Sequence, residues 1–229
     1  MLFNKSGYYF IALLLLAFIG FWESYFSKLF ADINGYVHFH AATMLLWICL
    51  LIAQAFLIRY KKYSLHKIFG KISYALVPAI ILSLILLAHN QIVVHDFGLT
   101  YSRLYTLFLQ LSLLAIFVIA YSLAILYRKS INHHARYMIC TALTMIDPAV
   151  ARIPLNLPSL PFDYQVLTFG LTDIILVALI FLERKQKTGR GVFPVMLSVF
   201  LFFQTLNLTW TASATWDNFA LWFAKLPLT

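Results

Sequence analysis

Residues 132–152 read NHHARYMICTALTMIDPAVAR, a stretch apolar enough to cross a bilayer that nonetheless carries a line of polar side chains. His133, Tyr137, Cys140, Thr144 and Asp147 follow one another at steps of four, three, four and three. That spacing places them on one face of an α-helix. Pro148 removes a backbone donor and disturbs the turn before it. An acid beside a broken turn in hydrocarbon is costly and faces protein or water rather than lipid. The stretch predicts a many-helix membrane protein with a polar interior. By itself it does not specify a reaction.

Composition points the same way. Of 229 residues, 62% are hydrophobic and 11% charged, and the mean hydropathy is +0.86. A soluble domain carries roughly a quarter charged residues, so the class is integral membrane protein. The net charge of +9 is no argument for nucleic acid, because the basic residues sort to one side of a membrane. Cys49 and Cys140 lie in apolar segments without CxxC spacing. They are expected as small buried hydrophobes, not as a disulfide or a thiolate metal site. Lys5 precedes an apolar run, as in a signal peptide. The run is long and ends in FWESYF, so a retained helix is expected.

Seven transmembrane helices are predicted, each near the ~20 apolar residues that a bilayer core requires. They cover about 8–26, 36–58, 66–89, 101–127, 133–151, 164–182 and 192–208, in a single all-α membrane domain. Thirteen basic residues fall at Lys5 and in the 2–3, 4–5 and 6–7 connections, against Lys28, Arg103, Arg152 and Lys225 on the other side. The positive-inside rule then puts the N-terminus in the cytoplasm and the C-terminus outside. Residues 214–226, ATWDNFALWFAKL, are too short and polar to span. Trp216, Phe219 and Phe223 share a helical face there, which predicts an interfacial helix. The longest connections, 90–100 and the proline-rich 152–163, both face outside.

This topology gives each polar residue a depth. Glu23, His38, His40, His89, His95, Asp96, Arg103, Asp147, Arg152 and Asp163 lie near the outer surface. His66, His133 and His134 lie near the cytoplasmic surface. His40, Trp47 and Gln54 recur at seven-residue steps with Thr43 beside them, so they mark one face and aim it inward. His40, His89 and Asp147 are expected to converge at the outer end, with Glu23 and His38 in reserve. Imidazole and carboxylate together suit a metal ion, and facing histidines suit haem. For His40 the plain alternative is an interfacial histidine satisfied by water. Asp147 is expected to pair with Arg152 or Arg103. Asp173, near the midplane, reads either as a proton-relay acid or as a carboxyl bonded to Thr144 or Gln110.

Three runs, YVHFHAATMLLWICLLIAQAFLIRY, LHKIFGKISYALVP and HHARYMICTALTMIDPAVARI, resemble a family of uncharacterised bacterial seven-span integral membrane proteins. The resemblance covers roughly residues 36–155. Its most specific parts are HKIFGK and ARYMICTALTMIDPAVAR. It implies the seven-span fold in a bacterial cytoplasmic (inner) membrane and carries no chemistry. Two characterised groups are similar in part. The adiponectin-receptor-like family has seven spans and holds zinc with three histidines and an acid. It places two of those histidines on its last helix, where VFPVMLSVFLFFQTLNL has none. The ascorbate-type dihaem cytochromes use one histidine on each of four core helices, and the fourth span here has none.

Three functional classes remain. The first is a metal- or haem-binding redox protein built on the outer histidines and acids. The second is a proton-coupled transporter built on Asp147, Asp173 and the proline-interrupted helices. The third is a non-catalytic subunit or assembly factor, with a membrane-protein partner or a second copy of the chain. Enzymatic hydrolysis is a minor fourth, since a nucleophile elbow, a glycine-rich phosphate loop and HExxH are all absent from the sequence. The lipid bilayer is the one partner the composition demands.

Overall fold

The computed structural model describes residues 5–31, 33–93, 99–153 and 164–229, and their regular structure is helical throughout. His95, Asp96, Asp163 and prolines 154, 158 and 161 lie outside the described residues. Four elements follow the predicted spans closely: α2 (Gly35–Arg59), α5 (Tyr101–Leu126), α8 (Tyr164–Glu183) and α9 (Val192–Trp210). The others are α1 (Ser6–Gly20), α3 (Tyr63–Gly70), α4 (Ser73–Val93), α6 (Ile131–Leu143), α7 (Ile146–Val150) and α10 (Ala214–Ala224). Among the described residues, five helical stretches are long and apolar enough to cross a membrane: α2, Tyr63–Val93, α5, α8 and α9.

Three spans depart from expectation, each for a local reason. The fifth is broken. Pro148 lacks an N–H and its ring displaces the carbonyl four residues back, that of Thr144. α6 therefore ends at Leu143, Met145 N–H donates to Ala142 O at 3.1 Å in a tighter turn, and α7 starts at Ile146. The first span stops at Gly20, where α1 presses against α7. A Cβ on Gly20 would lie 2.1 Å from Ala149 O, so only glycine permits this approach. Phe21–Tyr25 then fold into turns, with Tyr25 N–H on Phe21 O at 2.9 Å. The third span is two helices: Lys71 and Ile72 form a turn, and Ser73 Oγ donates to Gly70 O at 2.6 Å. α3 exposes Tyr63, Leu65, Ile68 and Phe69 among its basic residues.

Successive long elements alternate in direction. At one end, Arg59 at the close of α2 lies over the Tyr8 ring of α1, 5.0 Å from its centroid. Arg136 near the start of α6 pairs there with Glu183 at the end of α8. At the other end, Asn34 caps α2, accepting from Tyr36 N–H at 2.9 Å, and donates to Asn90 of α4 at 2.8 Å. Asn207, late in α9, donates to Tyr105 O, early in α5. Between the ends runs an apolar core centred on Trp47, which is fully buried and edge-on to Phe117 and Tyr121. Trp216, Ala220 and Phe223 of α10 pack on Ala88, Leu104 and Phe108, and Trp216 Nε1 donates to Leu104 O at 3.0 Å. Of the two free cysteines, Cys140 is buried as expected, whereas Cys49 lies exposed on α2.

Candidate functional site

α1, α4 and α7 finish, and α2 and α5 begin, around one cavity of about 390 Å3. Its walls are mostly apolar, with Ile48, Ile80, Leu87, Leu113 and Phe117 among them. His40, Gln91, Gln110, Asp147 and Arg152 supply the polar positions. A largely apolar pocket with a few convergent polar groups is the physical pattern of a small-molecule site.

His40 is held from behind. Its Nδ1 lies 3.1 Å from Ser83 Oγ on α4. Ser83 Oγ also lies 2.9 Å from Ile80 O and 3.0 Å from Thr43 Oγ1, which in turn lies 2.9 Å from His40 O. Ser83 is fully buried and Thr43 is nearly so, which fixes the ring.

Asp147 sits where the proline break leaves it, 2% exposed on the five-residue α7. Its Oδ1 accepts from Gln165 Nε2 of α8 at 2.6 Å, and its Oδ2 is buried without a hydrogen-bond partner. Arg152 lines the same cavity but forms no direct salt bridge with Asp147. Its guanidinium donates to Pro148 O at 2.8 Å and lies over Phe21, 4.6 Å from the ring centroid. Asp147 and Arg152, one of the two pairings expected from sequence, thus face one space without a direct ion pair. Gln110 Nε2 donates to Gln91 Oε1 at 2.8 Å, linking α5 and α4 at the cavity's edge.

Asp147 also borders a second, much smaller space of about 10 Å3, together with Ser112, Thr172, Gln204 and Asn207. That volume admits about one water molecule. Thr172 Oγ1 and Asn207 Oδ1, like Asp147 Oδ2, are buried without a partner. Gln204 Nε2 donates to Asp173 Oδ1 at 3.2 Å, so Asp173 meets α9 rather than Thr144 or Gln110.

The expected trio is only partly assembled. His40 and Asp147 share the cavity. His89 does not: it is 1% exposed, its Nδ1 lies 2.7 Å from Thr229 Oγ1, and its ring meets Phe223 edge-on at 5.3 Å. His38 is taken by Tyr25, whose hydroxyl lies 3.0 Å from Nδ1, and Glu23 is exposed. Among the described residues, no group of three or more His, Cys, Asp or Glu side chains is placed to hold a metal ion. One imidazole and one carboxylate fall short of the three or four ligands of a zinc site, and the second histidine that a bis-histidine haem needs is turned away.

Sequence reasoning passed over Ser83, Gln165 and Gln91. A serine inside an apolar helix and a glutamine at a helix start are weak signals alone, and each matters here only through a residue distant in sequence. No protein-family model, curated protein or solved structure matches this chain.

Proposed function

We propose that this chain is a seven-span protein of a bacterial cytoplasmic membrane that binds a small amphipathic organic molecule in the cavity. The guest's polar head lies among His40, Asp147 and Arg152, and its apolar body lies against Ile80, Leu113 and Phe117. The observation that carries this reading is the cavity itself: about 390 Å3, apolar-walled, with its ionisable groups supplied by α2 and by α7 and the residues just after it. The basic connections lie inside, so the cavity opens toward the outer half of the membrane. The resemblance to the bacterial seven-span family belongs to the same reading.

A second reading, proton-coupled carriage, is favoured by one observation. Asp147 borders both spaces, and Gln204 joins the smaller one to Asp173. Carboxyl groups inside a membrane bundle mark ion or proton paths.

The test of the first reading is binding in lipid nanodiscs, with 4-dodecylphenol as the probe. Ala41 is half-buried on the cavity wall. Ala41→Trp fills the space and should weaken binding by about tenfold or more while the protein still melts cooperatively. Unchanged binding to a folded Ala41→Trp protein would place the probe elsewhere and end this assignment.

A further inference from the structure

We propose that the smaller space bordered by Asp147 is a binding site for a monovalent cation, sodium, held between α5, α7, α8 and α9. The proposal goes beyond the amphiphile reading and does not depend on it, since the two spaces are distinct. Asp147 Oδ2, Thr172 Oγ1 and Asn207 Oδ1 are each buried without a hydrogen-bond partner, and their residues are 2%, 1% and 0% exposed. They come from three helices and border one space of about 10 Å3. Buried polar atoms in a folded protein are normally satisfied, so three orphans around one water-sized space call for an occupant. Asn207 Nδ2 is turned to Tyr105 O, which leaves Oδ1 as the unpartnered end of that amide.

The chemistry of the wall selects the occupant. The three orphans are all oxygens. Ser112 and Gln204 add a hydroxyl and an amide to the same wall, and Gln204 Nε2 is committed to Asp173. Among the described residues, no imidazole or thiolate borders the space, so a nitrogen- or sulfur-seeking transition metal finds no ligand there. Oxygen ligands suit hard cations. Among the same residues Asp147 has no direct ion pair, and its Oδ1 already accepts from Gln165. A single carboxylate balances one positive charge. A divalent ion would leave a net charge in the low-dielectric bundle, and a water would leave the carboxylate without a counterion. A space for one water-sized body favours sodium over the larger potassium. Leu109, Leu113 and Asp147 also border the larger cavity, which gives the ion a route in.

The probe is sodium chloride on the full chain in nanodiscs, with potassium chloride and choline chloride at equal ionic strength as references. Sodium should raise the melting temperature saturably, by about 5 °C or more at roughly a hundredfold excess over its Kd, and radiolabelled sodium should bind at one equivalent per chain. Thr172→Val keeps the shape of the side chain, removes one oxygen and should weaken sodium binding by about tenfold. Asp147→Asn removes the charge and should abolish binding. Equal melting in the three salts, with no sodium bound to the folded parent, overturns the proposal, and the space then holds water or a protonated Asp147. Potassium that binds as tightly as sodium overturns the size argument and the sodium assignment with it. Sodium binding that Thr172→Val and Asp147→Asn both leave unchanged also overturns the proposal, because the ion then sits elsewhere. If Asp147→Asn does not fold, the Thr172→Val result decides alone.

Discussion

At the scale of single residues, the charge most deeply committed to the fold is not at the cavity. Arg136 is 1% exposed and pairs with Glu183, itself 4% exposed, while Arg136 Nη1 donates to Asn132 O at 2.6 Å. Gly189 makes room for it: φ is +78°, and a Cβ there would lie 2.6 Å from Arg136 Nη1. Removing one partner strands the other charge in a low-dielectric site, so Arg136→Ala and Glu183→Ala should each cost about 3–5 kcal/mol. The double variant should cost less than the sum of the two, because each single variant includes the penalty of the stranded partner. Thermal unfolding of the three variants in one detergent checks this, and strict additivity would mean that the two side chains act independently. Sequence alone counts Arg136 only among the basic residues of the 4–5 connection and gives Glu183 no role. Nothing within four residues of either marks them as a pair, because they meet across 47 positions. His40 was legible for the opposite reason: its seven-residue register with Trp47 and Gln54 is local, and all three do face inward. His89 was read at the right end of the bundle, but its neighbour is Thr229, 140 residues away.

At the scale of elements, α7 is the device that delivers Asp147 to the cavity. One proline separates it from α6, and one glycine, Gly20, lets α1 lie against its backbone. A continuous helix through 131–150 would carry Asp147 at an orientation set by α6, away from its bond to Gln165. Pro148→Ala restores the missing donor and removes the ring clash. Total helix content by circular dichroism should therefore hold or rise slightly. Binding of 4-dodecylphenol should nevertheless weaken by about threefold to tenfold, the usual range for losing one hydrogen-bonded position. Retention of parental affinity would show that α7 keeps its orientation by packing on α1 alone. The break itself was visible in the order Asp147–Pro148, since proline chemistry acts within four residues. The early stop of α1 was not, because it depends on how closely another backbone approaches Gly20. The separation of α3 from α4 was missed too, since an apolar pattern runs on through Lys71 and Ile72 while the helix axis does not.

For the whole molecule, the question is whether the two imperfect rods cross the membrane as the five long ones can. α6 and α7 together run from Ile131 to Val150, which at 1.5 Å per residue is about 30 Å, the thickness of a bilayer core. α1 at fifteen residues reaches only about 22 Å and would need local thinning of the bilayer or help from the turns after Gly20. In the seven-span proposal both cross, and one set of ends would then share each surface. The cavity gathers the closing ends of α1, α4 and α7 with the opening ends of α2 and α5, and Arg136 and Glu183 meet at the opposite end. Thirteen of the seventeen basic residues are assigned to one side from sequence alone, an expectation that requires no knowledge of packing and that reporters test directly. Two pairs of reporters separate the cases. Tags placed at the N-terminus and in the turn at Lys61 should report the same side, because α1 and α2 both lie between them. Tags after Tyr127 and after Thr229 should report opposite sides if α6–α7 crosses along with α8 and α9. Opposite sides for the first pair would mean that α1 dips in without crossing. The same side for the second would make α6–α7 a re-entrant loop, and its proline break would then sit at the turning point of that loop, with Asp147 at its tip.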